Sequence, residues 1–156
     1  MFLKSVIISL DAKQIQSLDL SPVQGAIASA SPVSLEKQVS FEINYPREPN
    51  DPRELSEIPE IRLWFVRLDA AYPWFLFLLD GQAGELYRYV AMLVPHQFSR
   101  TEGIQYNPEA LEIFVMQKMF ILSDWLKQQN IPSPAKLQAL AQALGYELDR
   151  SFFAVL

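Results

Sequence analysis

The sequence predicts one α+β domain over residues 1–156, in which a small β-sheet packs against about four to five helices. Three observations predict this fold class. Alternation of apolar and polar side chains is confined to the early part of the chain, whereas apolar residues at helical spacing dominate after residue 60. Half of the residues are hydrophobic and 20% are charged, which is typical of a folded globular chain.

Three segments are predicted as the strands of this sheet. Residues 2–10 form a β-branched run, and residues 38–45 alternate so regularly that one face is expected to be buried and the other wet. The segment Trp74–Leu79 is continuously apolar, which favours a strand buried on both faces and leaves a short buried helix as the alternative. Residues 11–18 are predicted as a short helix, and residues 21–34, with their prolines and glycine, as a loop.

The remaining helices are predicted from apolar side chains at 3.6-residue spacing and from the residues at their boundaries. They cover residues 60–72, 83–94 and 107–129, then a helix that starts at Ser133-Pro134 and is closed by Gly145, and a short helix within residues 147–156. Asn107 can cap the longest of them, and Pro108 suits its first position. Residues 98–106 are predicted as a loop.

Residues 46–59, the proline-rich segment, are predicted to lie on the surface in an ordered conformation. Four prolines restrict φ in this segment, and few of its side chains are apolar. Asp51-Pro52-Arg53-Glu54 has the chemistry of a helix start, because Asp51 can cap and Glu54 can reach back to the cap. We therefore expect one ordered turn here.

The composition excludes several classes of function. With 13 basic and 18 acidic residues the net charge is −5, so nucleic acid is not an expected partner. The lack of cysteine and the single histidine exclude disulfides, cysteine nucleophiles, iron–sulfur ligation and nearly all zinc sites, so we expect no metal and no cofactor. The longest uncharged run, residues 70–79, is about half the length that a membrane span needs. The N-terminus has no targeting pattern, which predicts a soluble, cytoplasmic protein.

His96 is the only histidine and is the first candidate for acid–base chemistry. One function class to consider is therefore a small hydrolase or ligand-binding enzyme that uses His96 with Asp80 or Glu85. The simpler alternative is a histidine that hydrogen-bonds free carbonyl groups at a helix end, with acids that cap turns or pair with arginines. No nucleophile elbow, phosphate-binding loop, dinucleotide fingerprint or zinc-protease motif accompanies it.

The longest helix carries one lysine at a position where apolar residues are expected. Lys118 points into the apolar arc of this helix, where a lysine must pair or lose its charge. A carboxylate within salt-bridge reach is expected, with Asp69, Asp80 and Glu85 as candidates. The alternative is a poised amine or an anion site.

On the other side of the same helix, Ile113, Met116 and Phe120 form a second apolar stripe, here called the outer stripe. Either the C-terminal helices cover the outer stripe, or it is a protein–protein contact patch.

Several long segments of the chain resemble a known family. The resemblance lies in three segments, residues 45–60, 62–74 and 83–97, the last of which ends in Pro95-His96-Gln97. It also includes the helix start Asn107-Pro108-Glu109-Ala110-Leu111-Glu112. These segments resemble the chlororespiratory reduction six family of cyanobacteria and plastids, and the resemblance covers about residues 40–130. A plastid member would need a transit peptide, which this chain lacks, so the resemblance implies a bacterial cytoplasmic protein.

The resemblance implies an assembly factor, or chaperone, for the photosynthetic NAD(P)H dehydrogenase-like complex. Its implied partner is a protein client, the ferredoxin-like iron–sulfur subunit of the peripheral arm, and no catalytic residues are implied. A protein without cysteine cannot hold the cluster itself, but it can hold the client.

We expect docking at the proline-rich segment and at the end of the helix over residues 83–94, because rigid exposed polar groups supply specificity. The predicted partner-binding residues are Arg53, Glu54, Arg88, His96 and Gln97.

Overall fold

The computed structural model describes residues 5–156 and confirms the α+β class. The strands are β1 (Val6–Asp11), β2 (Val39–Asn44), β3 (His96–Ser99) and β4 (Gly103–Tyr106). The helices are α1 (Ala12–Gln16), α2 (Ser21–Ala28), α3 (Pro59–Ala71), α4 (Glu85–Leu93), α5 (Pro108–Gln128), α6 (Pro134–Ala143) and α7 (Arg150–Ala154). Among these helices, none is both long enough and apolar enough to cross a membrane.

The first sheet pairs β1 with β2 in parallel, and Val6 lies opposite Val39. The parallel pairing follows from the connection, because α1 and α2 lie between the two strands and return the chain to the same end. Ile8 and Leu10 are buried on the core face, whereas Ile7 on the other face is exposed. Both predicted strands are thus confirmed, although the predicted start of the first strand lies outside the described residues.

The third predicted strand is wrong. Residues 75–78 form a 3₁₀ turn, and only Leu79 makes an isolated parallel bridge, with Val39. The amide of Phe77 donates to the carbonyl of Trp74 at 3.0 Å, so backbone groups that a strand would offer to a neighbour are used locally. The segment is buried on all sides, as a continuous apolar run requires, and periodicity cannot distinguish a strand from a short helix in such a run.

Two predicted loops are also wrong. Residues 21–34 contain α2 and a 3₁₀ turn, and α2 begins with Pro22 in its first turn and buries Val23 completely. Asp19 stabilises this start, because its carboxylate accepts the amide of Ser21 at 2.9 Å. Residues 98–106 belong to the β3–β4 hairpin. Gly103, the first residue of β4 after the turn, takes a φ of 76°, a left-handed value that favours glycine.

The proline-rich segment contains the expected ordered turn, but the turn starts later than predicted. A 3₁₀ turn covers Leu55–Glu57, and Glu54 rather than Asp51 is its N-cap. The other predicted helices are confirmed within a few residues. Asn107 caps α5 by accepting the amide of Ala110 at 3.0 Å.

An aromatic cluster at the centre of the core sets the positions of α3 and α4 against β2. Phe41 of β2 meets Trp64 and Phe65 of α3 edge to face, with ring centroids 6.0 and 5.0 Å apart. Phe65 in turn meets Tyr89 of α4 at 6.0 Å. The indole of Trp64 also donates to the carbonyl of Asp19 at 2.8 Å, which ties α3 to the segment before α2. This packing fixes the surface on which the predicted docking residues lie.

Replacing Leu68 by Ala on α3 should lower the free energy of unfolding by about 2–5 kcal/mol, because the side chain is completely buried. The matched control is Leu63→Ala on the same helix, where the side chain is 53% exposed and a change within about 0.5 kcal/mol is expected. Urea unfolding curves measure both values. Equal losses in the two variants would contradict the assignment of the buried face.

Candidate functional site

The proline-rich segment is held in shape by its own hydrogen bonds. The carboxylate of Glu54 accepts the amide of Ser56 at 2.6 Å, and the carboxylate of Glu57 accepts the amide of Glu54 at 2.7 Å. This reciprocal pair is a capping box, which satisfies two amides that the short turn leaves free. The backbone here is therefore ordered without a long helix.

Asp51 and Arg53 form a second local contact in the same segment. The guanidinium Nη2 of Arg53 lies 2.8 Å from Oδ2 of Asp51, and Arg47 donates to the carbonyl of Arg53. Hydrogen bonds from Arg53 lower the pKa of Asp51 to about 2, so this carboxylate is ionised throughout the neutral range. The Arg53 side chain is held through its guanidinium yet remains 48% exposed.

Two long-range contacts join the proline-rich segment to the end of α4. Nε of Arg88 lies 3.6 Å from Oε1 of Glu54, and Oγ of the fully buried Ser56 lies 2.8 Å from Nε2 of His96. Nδ1 of His96 lies 3.1 Å from the carbonyl of Val94. Because a carbonyl can only accept, Nδ1 carries a proton and donates to Val94, while Nε2 shares a hydrogen bond with the Ser56 hydroxyl.

The structure brings three of the five predicted partner-binding residues together, because Glu54 contacts Arg88 and Ser56, two residues after Glu54, contacts His96. The five residues have two roles. Arg53, Arg88 and Gln97 are exposed. Glu54 and His96 are partly buried, and their polar atoms hold the segment against α4 and β3. Ser56, which connects them, was not predicted, since a single serine in a loop carries no pattern.

The structure does not join His96 to either of the acids proposed for an enzyme. The hydrogen bonds of its ring go to Ser56 and Val94, so neither Asp80 nor Glu85 is among its partners in the described part of the chain. Burial raises the pKa of the Glu85 carboxyl, and the backbone N–H of Phe41 opposes that shift. Asp80 caps a turn by accepting the amide of Gln82 at 3.1 Å.

Two cavities lie near these acids, and His96 lines neither of them. The cavity beside Glu85 has a volume of about 30 Å³, which is room for one or two waters rather than a substrate. The cavity beside Asp80 is larger, about 370 Å³, and opens between the turn at residues 80–82 and Leu140 of α6. The only cavity of substrate size among these two is therefore not lined by the histidine of the proposed enzyme.

Lys118 lies in the core, with its side chain 4% exposed, and pairs with Asp69 of α3. Its Nζ lies 2.7 Å from Oδ1 of Asp69 and 2.8 Å from the carbonyl of Pro73. The Tyr89 hydroxyl of α4 donates to the same carboxylate at 2.8 Å. Asp80 and Glu85, the other two candidates, make separate contacts. One carboxylate thus connects α3, α4 and α5.

The sequence pattern did not reveal the polar part that Tyr89 plays in this cluster. Its position marks it only as a residue on the buried face of α4, where it is 1% exposed. Burial raises its pKa well above the usual value, and the neighbouring Asp69 carboxylate raises it further. The hydroxyl therefore stays protonated as a donor.

The outer stripe of α5 remains open to solvent. Ile113 is 61% exposed and Phe120 is 57% exposed. Phe152 of α7 meets the ring of Phe120 edge to face at 6.3 Å, so the C-terminal helices contact the stripe at one end without covering it. Within residues 5–156, no group of three or more metal-binding side chains is close enough to bind an ion, at this face or elsewhere.

The sequence model of one protein family, described as Chlororespiratory reduction 6, matches residues 10–155. The chain belongs to the chlororespiratory reduction 6 family. The match extends beyond residues 40–130, which first indicated the resemblance, and also includes α1, α2 and α6. No solved structure matches the chain. Membership of the chlororespiratory reduction 6 family assigns the chain to the biogenesis of the NAD(P)H dehydrogenase-like complex.

Replacing Lys118 by Met should cost about 3 kcal/mol of unfolding free energy, because it leaves the Asp69 carboxylate without its cation. The double variant Lys118→Met with Asp69→Asn should recover part of that loss, since no charge is then stranded. Denaturant unfolding measures both. A double variant that is less stable by the full sum of the two single losses would show that the two residues do not act as a pair.

The raised pKa of Tyr89 predicts a loss of stability in alkali. Below pH 10.0 the tyrosine is protonated whether the chain is folded or unfolded, so its contribution is constant. Above that pH the unfolded chain ionises and the folded chain does not, which lowers stability by up to about 1.4 kcal/mol per pH unit. Tyr89→Phe should flatten this slope between about pH 10 and about pH 11 in unfolding experiments. An unchanged slope in that variant would contradict the burial of the hydroxyl.

Proposed function

We propose that the chain is a cytoplasmic assembly factor for the photosynthetic NAD(P)H dehydrogenase-like complex, and that its client is the iron–sulfur subunit of the peripheral arm. The observation that carries this proposal is membership of the chlororespiratory reduction 6 family over nearly the whole chain. The chain has no cysteine and so offers no thiolate to a cluster. We therefore assign the binding role to the folded surface, which holds the client protein and not its cofactor.

We further propose that the client docks on the face formed by the proline-rich segment and the end of α4. Arg53 and Arg88 are each about half exposed, at 48% and 52% of their side chains, and each is positioned by an acid of the segment. A side chain already held near its bound position loses little conformational entropy on docking. Glu54 and His96 support this face from beneath, and Gln97 extends it along the edge of β3.

The charge reversals Arg53→Glu and Arg88→Glu should weaken client binding and lower the yield of the assembled complex. Both residues lie at the surface, so the melting temperature should change by only a few degrees, as expected for a stability change of about 0.5 kcal/mol. The matched control is Arg67→Glu, an exposed arginine of α3 outside this face. Co-purification of the tagged chain from a native extract, followed by mass spectrometry, measures client recovery.

Normal client recovery and complex yield with folded Arg53→Glu and Arg88→Glu would place the docking face elsewhere. An equal loss with Arg67→Glu would show a general effect of charge instead of a specific face. Recovery of a tightly held small molecule with no dehydrogenase subunit would contradict the assembly role and favour the enzyme with His96.

A further inference from the structure

The outer face of α5 carries apolar side chains that the core of the described residues does not cover. One side of the helix is buried in the core through residues such as Val115, Leu122 and Leu126. On the opposite side, Ile113 and Phe120 are more than half exposed, and Met116 between them is partly exposed. These three positions, spaced by three and four residues, form one continuous row along the helix. Large apolar side chains in a row on a solvent face mark an interaction site more often than scattered ones do.

Acidic side chains border the outer stripe. Glu109, Glu112 and Asp124 are exposed on α5 itself. Glu147 and Asp149 are exposed in the connection that runs from Tyr146, which lies near Glu112, to Phe152, which contacts Phe120. None of the five acids takes part in the four ion pairs found among residues 5–156.

Few basic side chains lie near the five acids that border the outer stripe. Lys127 lies on the same side of α5 and donates to the carbonyl of Leu156, and Arg150 is exposed at the start of α7. Five acids therefore face two cations around an apolar row. A second copy of this chain would bring acids against acids, which disfavours self-association through this face.

We propose that the outer stripe binds a basic amphipathic helix of a partner protein. Apolar side chains of that helix would cover Ile113, Met116 and Phe120, and its lysines or arginines would pair with the bordering acids. The inference deepens the proposed function, on which it rests for the identity of the partner as the client. The inference adds that the segment by which the client binds is a basic amphipathic helix.

The test uses a synthetic helical peptide of about 18 residues, with leucines on one face and lysines on the other. The acidic counterpart has glutamate at every lysine position. Isothermal titration should detect binding of the basic peptide only, and hydrogen exchange should show new protection within α5. Binding should also weaken as salt concentration rises.

The decisive variant combines Ile113→Gln and Phe120→Gln, which removes the apolar row and leaves the net charge unchanged. Binding of the basic peptide should fall at least about tenfold. The matched control combines Ile7→Gln and Leu63→Gln, because these side chains are 63% and 53% exposed on other faces. Control binding should equal that of the wild type. A thermal melt shows that both double variants are folded.

Charge is tested separately by the single reversals Glu109→Lys and Glu112→Lys, each against Glu42→Lys on the outer face of β2, which changes the net charge by the same amount. The α5 reversals should weaken binding of the basic peptide more than the control does. The proposal is overturned if the Ile113→Gln, Phe120→Gln variant binds the basic peptide as tightly as the wild type. It is equally overturned if the control pair Ile7→Gln, Leu63→Gln loses as much affinity.

A second arm replaces the peptide with the purified iron–sulfur subunit and separates the two proposals. If the subunit binds the wild type and the Ile7→Gln, Leu63→Gln control but loses affinity with the outer-stripe variant, both the client assignment and the outer-stripe proposal are supported. If it binds both proteins equally, the client does not use the outer stripe and this inference is wrong. If it binds neither, the assignment of the client fails, and the peptide result alone decides the chemistry of the face.

Discussion

The ion pair between Lys118 and Asp69 is the contact on which the arrangement of the helices depends. Lys118 points into the apolar side of α5, and only a carboxylate at that depth can balance its charge. Asp69 supplies it from α3, and the same carboxylate accepts the hydroxyl of Tyr89 from α4. A shift of α5 by one residue along its axis would break this cluster. We infer that the pair sets the relative positions of three helices more than it adds stability.

That arrangement determines which surfaces are left for partners. With its Lys118 side turned to the core, α5 presents Ile113 and Phe120 to solvent. With Tyr89 turned to Asp69, α4 presents Arg88 on its outer side, where Glu54 can reach it. The two faces proposed for partner binding are thus consequences of one buried cluster. Neither face needs a cavity of substrate size, which suits a protein that binds another protein.

Long elements with a regular pattern could be predicted from the sequence, and short elements could not. The apolar spacing in α3 and α5 and the alternation in β2 each extend over many residues, so the pattern is strong. By contrast, α2 is held by the burial of Val23 and by the carboxylate of Asp19, which are tertiary and local contacts that its small residues, with a proline and a glycine, do not reveal. In Trp74–Leu79 every side chain is apolar, so no period exists to be detected.

The candidate site, too, could be predicted from the sequence only in part. The sequence indicated Arg53 and Arg88 as polar groups near fixed prolines, because composition alone marks an exposed segment. The sequence could not show that the ring of His96 is hydrogen-bonded to Ser56, since the two residues are 40 positions apart in the chain. Contacts between residues so far apart in the sequence depend on the packing of the whole core, and the periodicity of apolar residues does not predict them.

The most direct test of the account uses purified components. The chain and the iron–sulfur subunit are mixed at about 10 µM each and analysed by size-exclusion chromatography with light scattering, conditions in which a Kd of about 1 µM leaves most of both proteins bound. The two proteins are expected to elute together with the mass of a complex. Separate elution of two folded proteins would contradict the claim that this chain is an assembly factor that holds that client.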